Sequence, residues 1–408
     1  MTERPVGTAP RAGRGSWPPV GEAALLLAGV FLSYCGTGVT QVALSVHLKA
    51  WGSPWVAAAG VAELGGTVVA VPVAARFLGQ VPVRRLLVLA LAGQALATAG
   101  IALAVRAAGP VWLVPAGTAA VGAGAALAVP AVSTVLSGAG AAAPRLMGRY
   151  SAVALSGGVA GFVLGGVAVG AVGVAGSLLV DTASYAVLAV LVAALSARGR
   201  GSAGGPGTAV RRGARGAWSR GVRAVYRDDV LRPATLGFAS VLLLAVAVNV
   251  ADVFLVLDVL GASATVYGAV TACWPLAGAV AAWTLGPRLG GRRLLPAMGL
   301  GALVMGTAVA GAGAVAQLAV LPVAWCVGGA ANAVQRTCLN TAVAQRCPPD
   351  DRAVVFGAVT GITRLAHLAG LGLGAAAVAL VGARETVVLS GAATVLVGLR
   401  LLPVMRRG

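Results

Sequence analysis

The chain has 408 residues, 59% of them hydrophobic and only 10% charged, with a mean hydropathy of +0.92 and a formal net charge of +19. A water-soluble domain is about half apolar and about a quarter charged, so these figures exclude a soluble globular protein and place the chain in a bilayer. The basic balance is no nucleic-acid signal either, because the arginines lie in short loops between apolar runs with no aromatics interleaved.

In hydrocarbon every backbone amide must be satisfied internally, which leaves helices or a closed barrel. The apolar runs are about 20 residues long and do not alternate, which suits helices crossing a core of about 30 Å and excludes short barrel strands. Residues 1–21, rich in Pro, Gly and Arg, read as a disordered cytosolic tail without a secretory signal peptide. Six helices are predicted at 22–46, 54–78, 84–106, 111–137, 150–173 and 174–197, forming a bundle over 22–197. A polar stretch, 198–232, carries nine arginines and reads as a cytosolic linker. Within it Trp218, Val222 and Tyr226 recur every four residues, predicting a short amphipathic helix on the inner membrane face. Six more helices are predicted at 233–258, 264–287, 292–313, 316–343, 353–380 and 384–404, a second bundle over 233–404, before a short tail at 405–408.

Charge sets the expected orientation. With the N-terminus inside, 25 arginines fall on inner segments, against only Lys49, Arg106 and Arg384 outside. That bias puts both termini and the linker in the cytosol. Trp51, Trp55 and Trp112 fall at outer ends, as an aromatic belt requires. Arginine outnumbers lysine 29 to 1 amid abundant Ala, Gly and Val, which points to a high-GC bacterial genome and hence to a bacterial cytoplasmic membrane.

The halves repeat. Arg84-Arg85-Leu86-Leu87 opens the third helix, and Arg292-Arg293-Leu294-Leu295 opens the ninth, 208 positions later. The fifth and eleventh helices are both long, glycine-rich and preceded by a short basic loop. Gly157, Gly161 and Gly165 keep a four-residue spacing that lets helix backbones approach. Six-plus-six helices around a cytosolic linker are the layout of the major facilitator transporters.

Several motifs carry the same resemblance. The first helix has Ser33-Tyr34-Cys35-Gly36, then Val42-Ala43-Leu44 and the turn Gly52-Ser53-Pro54. The fourth has Gly122-Ala123-Gly124 and Pro130-Ala131, and the sixth has Asp181-Thr182-Ala183-Ser184-Tyr185. Together they resemble the major facilitator superfamily, and within it the bacterial macrolide, siderophore and drug exporter branch. The expected class is an all-α polytopic membrane protein of 12 transmembrane helices in two pseudo-symmetric halves. Two signatures depart from the pattern. The gating loop between helices two and three keeps Arg84 and Arg85 but has Arg76 at the glycine position, Gln80 where the superfamily has its acidic residue, and Val81 at the arginine that follows it. The antiporter motif keeps Gly161, Gly165 and Gly170 but has Gly166 at the proline position and Val169 at a glycine position.

The resemblance implies export of a small amphipathic compound (an antibiotic, siderophore or natural product) by proton antiport, with no enzyme activity. An importer, a non-transporting relative and a membrane-embedded enzyme are the alternatives. No cofactor or metal is expected. The two histidines, His47 and His367, are far apart, no HExxH pair or P-loop exists, and the five cysteines lack metal or disulfide spacing and read as packing residues. The expected partners are the substrate, protons and lipid, with the protein a monomer.

Four acids fall in or near the membrane: Glu63, Asp181, Asp252 and Asp258. Such residues usually face a cavity or a partner. Since the resemblance packs the second helix against the eleventh, Glu63 is expected to pair with Arg364 or His367 in one state and take up a proton in another. Asp252 and Asp181 are further proton-coupling candidates, though Asp181 also suits a folding or capping role near an outer helix end. Asp258 is expected to have no special role. The resemblance makes the first, fourth, seventh and tenth helices line the substrate cavity. The candidate lining is Tyr34, Thr37 and Gln41, then Asn249, and Asn332, Gln335, Arg336 and Asn340. Trp274 on the eighth helix is placed to stack on an aromatic substrate or to face lipid.

Overall fold

The computed structural model describes residues 20–77, 81–137, 143–198, 217–285, 288–289 and 294–401, with backbone alone at 20–23, 72–77, 137, 143–144, 196–198, 217 and 349–350. Residues 1–19 of the predicted N-terminal tail, the whole 405–408 tail and 199–216 of the linker lie outside the described residues, as do Gln80, the Arg76 side chain and the Arg292-Arg293 pair.

Long apolar stretches become helices because hydrocarbon offers the backbone no other partner. They are α1 (Val20–Lys49), α2 (Ser53–Phe77), α3 (Val83–Arg106), α4 (Leu113–Ser137) and α5 (Ala143–Arg198), then α6 (Ala217–Arg227) in the linker. After it come α7 (Leu231–Phe254), which ends in a π-helical turn at Leu255–Val259, α8 (Ala264–Leu285), α9 (Leu294–Val315), α10 (Leu321–Arg346), α11 (Pro349–Val381) and α12 (Ala383–Leu401). Nine helices among the described residues are long and apolar enough to cross a membrane, and the apolar part of α5 alone covers 51 residues. That helix holds the predicted fifth and sixth spans, broken at Gly173 (φ 72°). Its two arms meet α1 at one level, since Gly38 packs on Gly161 and Gly36 on Asp181. The chain is therefore an all-α, multi-pass membrane protein.

α1–α5 pack mainly among themselves, as do α7–α12, and the two sets meet through α5 on α8 and α2 on α11. Their backbones repeat. Among the described residues, those with positive φ are Gly52, Ala108, Gly173, Gly261, Ala316 and Gly382. They form three pairs, Gly52/Gly261, Ala108/Ala316 and Gly173/Gly382, whose members stand 209, 208 and 209 positions apart. Packing repeats with the same offset. Gly161 and Gly165 of α5 press on Cys35 and Val39 of α1, while Gly370 and Gly374 of α11 press on Leu243 and Ala247 of α7. The duplicated doublet of the sequence thus extends to hinge geometry and helix contacts.

The amphipathic linker helix forms as α6, but it packs on protein. Gly221 lies against Val354 and Ala358 of α11, the Trp218 ring lies on Gly361, and Val225 is buried. Its arginines, Arg220, Arg223 and Arg227, share the opposite, exposed stripe. Asp228 then caps α7 by accepting the backbone N–H of Val230 (2.9 Å) and Leu231 (2.8 Å).

Candidate functional site

The helix ends near α6 define one face of the molecule. The hydrogen bonds and the ion pair described between the two sets lie toward the opposite face. There the Lys49 ammonium pairs with the Asp258 carboxylate, and the two residues stand 209 positions apart. Ser53 Oγ donates to the Ala375 carbonyl (2.9 Å), and Thr265 Oγ1 donates to the Gly166 carbonyl (3.3 Å). Leu371 of α11 fits over Gly60 of α2, and the α5 backbone at Phe162–Gly166 rests on Gly268 of α8. Ser45 of α1 reaches Tyr267 of α8, and Val42 joins the cluster of Val253, Val256, Tyr267 and Val270. These contacts close the seam on the face remote from α6.

Toward α6 the same stripes are uncovered. Arg364 lies seven residues before Leu371, about two turns or 10 Å along the same side of α11, and it is exposed. Gln41 of α1 and Asn249 of α7, 208 positions apart, are both exposed just below the seam. On α10, Arg336 and Asn340 continue the stripe of Trp325, whose indole lies beside Asp252 of α7, and both are exposed. Exposed amides and guanidiniums in the middle of apolar helices do not face lipid, where they are costly. Their exposure argues for a polar cavity between the two sets on the side toward α6.

α1 presents its polar residues to this cavity at helical spacing. Tyr34 and Thr37 are half-buried and anchored to α5, through Tyr34 Oη to Tyr150 Oη (3.0 Å) and Thr37 Oγ1 to Tyr185 Oη (3.0 Å). Behind them Asp181 is 1% exposed and fully partnered. It accepts from Thr40 Oγ1 (2.6 Å) and Ser184 Oγ (3.0 Å). It stands eight residues past the Gly173 break, inside the helix, so an end-capping role is excluded.

Several expectations are corrected. Glu63 makes no ion pair with Arg364 or His367 here; it is half-buried and within electrostatic reach of Asp181 and Tyr185. Gln335 is 1% exposed and turns toward α9, where it packs on Gly301 and donates to Met305 Sδ (3.8 Å), and it also donates to the Ala331 carbonyl of its own helix (3.4 Å). Trp274 is half-buried and packs its ring on Gly328 in the α8–α10 interface, facing protein there and not lipid. Asp252, three residues from Asn249 on α7, is buried where Asn249 is exposed. It is 4% exposed, one oxygen accepting from Thr271 Oγ1 (3.3 Å) while the other has no partner among the described residues. Asn332 is half-buried, its amide nitrogen likewise without a partner. In the gating loop Arg84 donates to the Leu195 carbonyl (3.2 Å), tying α3 to the end of α5, and Arg85 is exposed.

Sequence reasoning missed the Lys49–Asp258 pair, the Thr40 donor to Asp181 and the Ser45–Tyr267 link. The shared 209-residue offset of Lys49 and Asp258 was the available signal for the first.

No family model matches the chain, and no curated protein matches it by sequence. Solved structures do match in fold. A bacterial homologue of the human lysosomal transporter Spinster, inward-facing and unoccupied, superposes with a TM-score of 0.68 at 15% identity, over 95% of this chain and 98% of that one. The nucleoside transporter NupG gives 0.70 at 11%, over 94% and 98%. The human organic anion transporter MFSD10 gives 0.63 at 17%, over 94% and 100%. At these identities the likeness is one of fold, and that fold is the major facilitator fold.

Proposed function

We propose that this chain is a secondary active transporter that exports a small amphipathic compound from a bacterial cytoplasm in exchange for protons, by alternating access. The observation that carries the reading is the divided seam: contacts between the two sets on one face, and exposed polar side chains at mid-helix toward the other. A passive structural protein has no use for polar side chains spent at mid-helix on such a cavity. The arginine bias assigns the α6 face to the cytosol, so the cavity stands open to cytosolic substrate. The two lobes, 22–197 and 233–404, rock about the central axis while the linker at 198–232 tethers them. That the neighbours in fold are transporters of nucleosides, organic anions and other solutes supports transport and leaves the cargo open. Glu63, acidic, half-buried and without a cationic partner, is the leading proton carrier, and the monomer is the working unit.

Reconstitution tests this reading. The purified chain in liposomes is expected to move an amphipathic compound chemically unchanged, and only while a pH gradient is held. Glu63→Gln should leave the protein folded and the movement uncoupled. Gradient-driven export undiminished in that variant removes Glu63 from the coupling, and chemical conversion of the compound removes the transporter.

A further inference from the structure

The cavity is electrically lopsided. Its α10 and α11 walls carry Arg336 and Arg364, both exposed, with half-buried His367 one turn from Arg364. Neither arginine forms an ion pair among the described residues, where the carboxylates that do so are Asp258 with Lys49 and Asp228 with Arg346. The remaining membrane acids do not answer them. Asp181 is committed to Thr40 and Ser184, Asp252 lies behind the seam with Thr271, and Glu63 pairs with neither arginine. The α1 and α7 walls offer neutral hydrogen-bonding groups, chiefly the Gln41 and Asn249 amides. A guanidinium held at mid-membrane depth is costly unless an anion or water meets it. Two without protein counter-ions make a site for a carboxylate, sulfonate or phosphate ester, which the planar guanidinium fork binds in two-pronged fashion.

We propose that the cargo is an organic anion, its acidic group held between Arg336 and Arg364 and its polar body against Gln41 and Asn249. The proposal rests on the transport reading for what the cavity is for, but binding alone can test it. The probes are a fluorescein-type carboxylate dye and a rhodamine cation of matching size, titrated by anisotropy against the full-length protein in detergent and followed separately in liposomes. The carboxylate dye should bind saturably and better than the cation. Arg336→Gln and Arg364→Gln should each weaken it by about tenfold or more, the loss typical of one charge-assisted hydrogen bond. Arg336→Lys and Arg364→Lys, which keep charge and fold, should recover part of that loss. Preference for the cation, absence of saturable binding by the carboxylate dye, or unchanged affinity in both Gln variants overturns the anion site. Arginine-dependent binding with no movement in liposomes upholds the site and removes the transport reading instead.

Discussion

The two halves share a scaffold and differ in what they hang on it. Gly122 of α4 meets the Glu63 carbonyl of α2, and Gly329 of α10 meets the Trp274 carbonyl of α8 in the same kind of contact. Each half thus has such a close approach on a carbonyl, made by an acid in the first half and by a large aromatic in the second, at levels that differ by about half a turn. The same split recurs in the buried acids. Asp181 in the first half has a donor for each oxygen, whereas Asp252 in the second leaves one oxygen without a partner. Packing has been kept equal between the halves while chemistry has diverged. Symmetry here constrains backbones, and function is free to break it at the side chains.

The most damaging way to probe the shared scaffold is to fill its contacts. A Cβ on Gly122 or Gly329 would collide with a neighbouring main-chain carbonyl, which cannot swing aside. Gly122→Ala and Gly329→Ala should each cost about 2–3 kcal/mol, read as thermal unfolding of the purified protein in detergent. A large loss in one and none in the other would break the equivalence of the halves. The acids offer a sharper contrast. Thr40→Val strips Asp181 of its 2.6 Å donor and should cost about 1–3 kcal/mol. Asp252→Asn, at a carboxylate already half-satisfied, should stay within about 1 kcal/mol of the parent. The smallest effect is expected at the paired hinges. Ala108 (φ 49°) and Ala316 (φ 48°) both hold a left-handed backbone that glycine adopts without strain. Ala108→Gly and Ala316→Gly should each stabilise by about 0.5–1 kcal/mol, and equally so if the hinges are true counterparts.

Much of the scaffold was legible beforehand because it is written in local rules. Apolar runs of span length give the helices, and the four-residue glycine spacing of 157–165 gives the helix contact that α1 and α5 make. The cavity residues were only partly legible. Periodicity placed Gln41, Asn249, Arg336 and Asn340 on faces that prove to be open. It could not tell that Gln335, one residue from Arg336, turns about 100° away toward α9. Nor does a single sequence say how far two helices stand apart, which decides whether Glu63 reaches Arg364. Asp258 looked idle for a related reason, since its partner Lys49 lies in the other half of the chain.

That ion pair has a historical implication. Lys49 and Asp258 occupy corresponding places in the two repeats and touch each other, so they sit on the axis that relates them. In an ancestral assembly of two identical subunits, the same place would hold two lysines or two aspartates and would repel. Opposite charges require the two repeats to differ in sequence at this position, as Lys49 and Asp258 do. The bridge is thus a mark of divergence between the repeats, and reversing both charges at once should leave it standing where reversing either one should not.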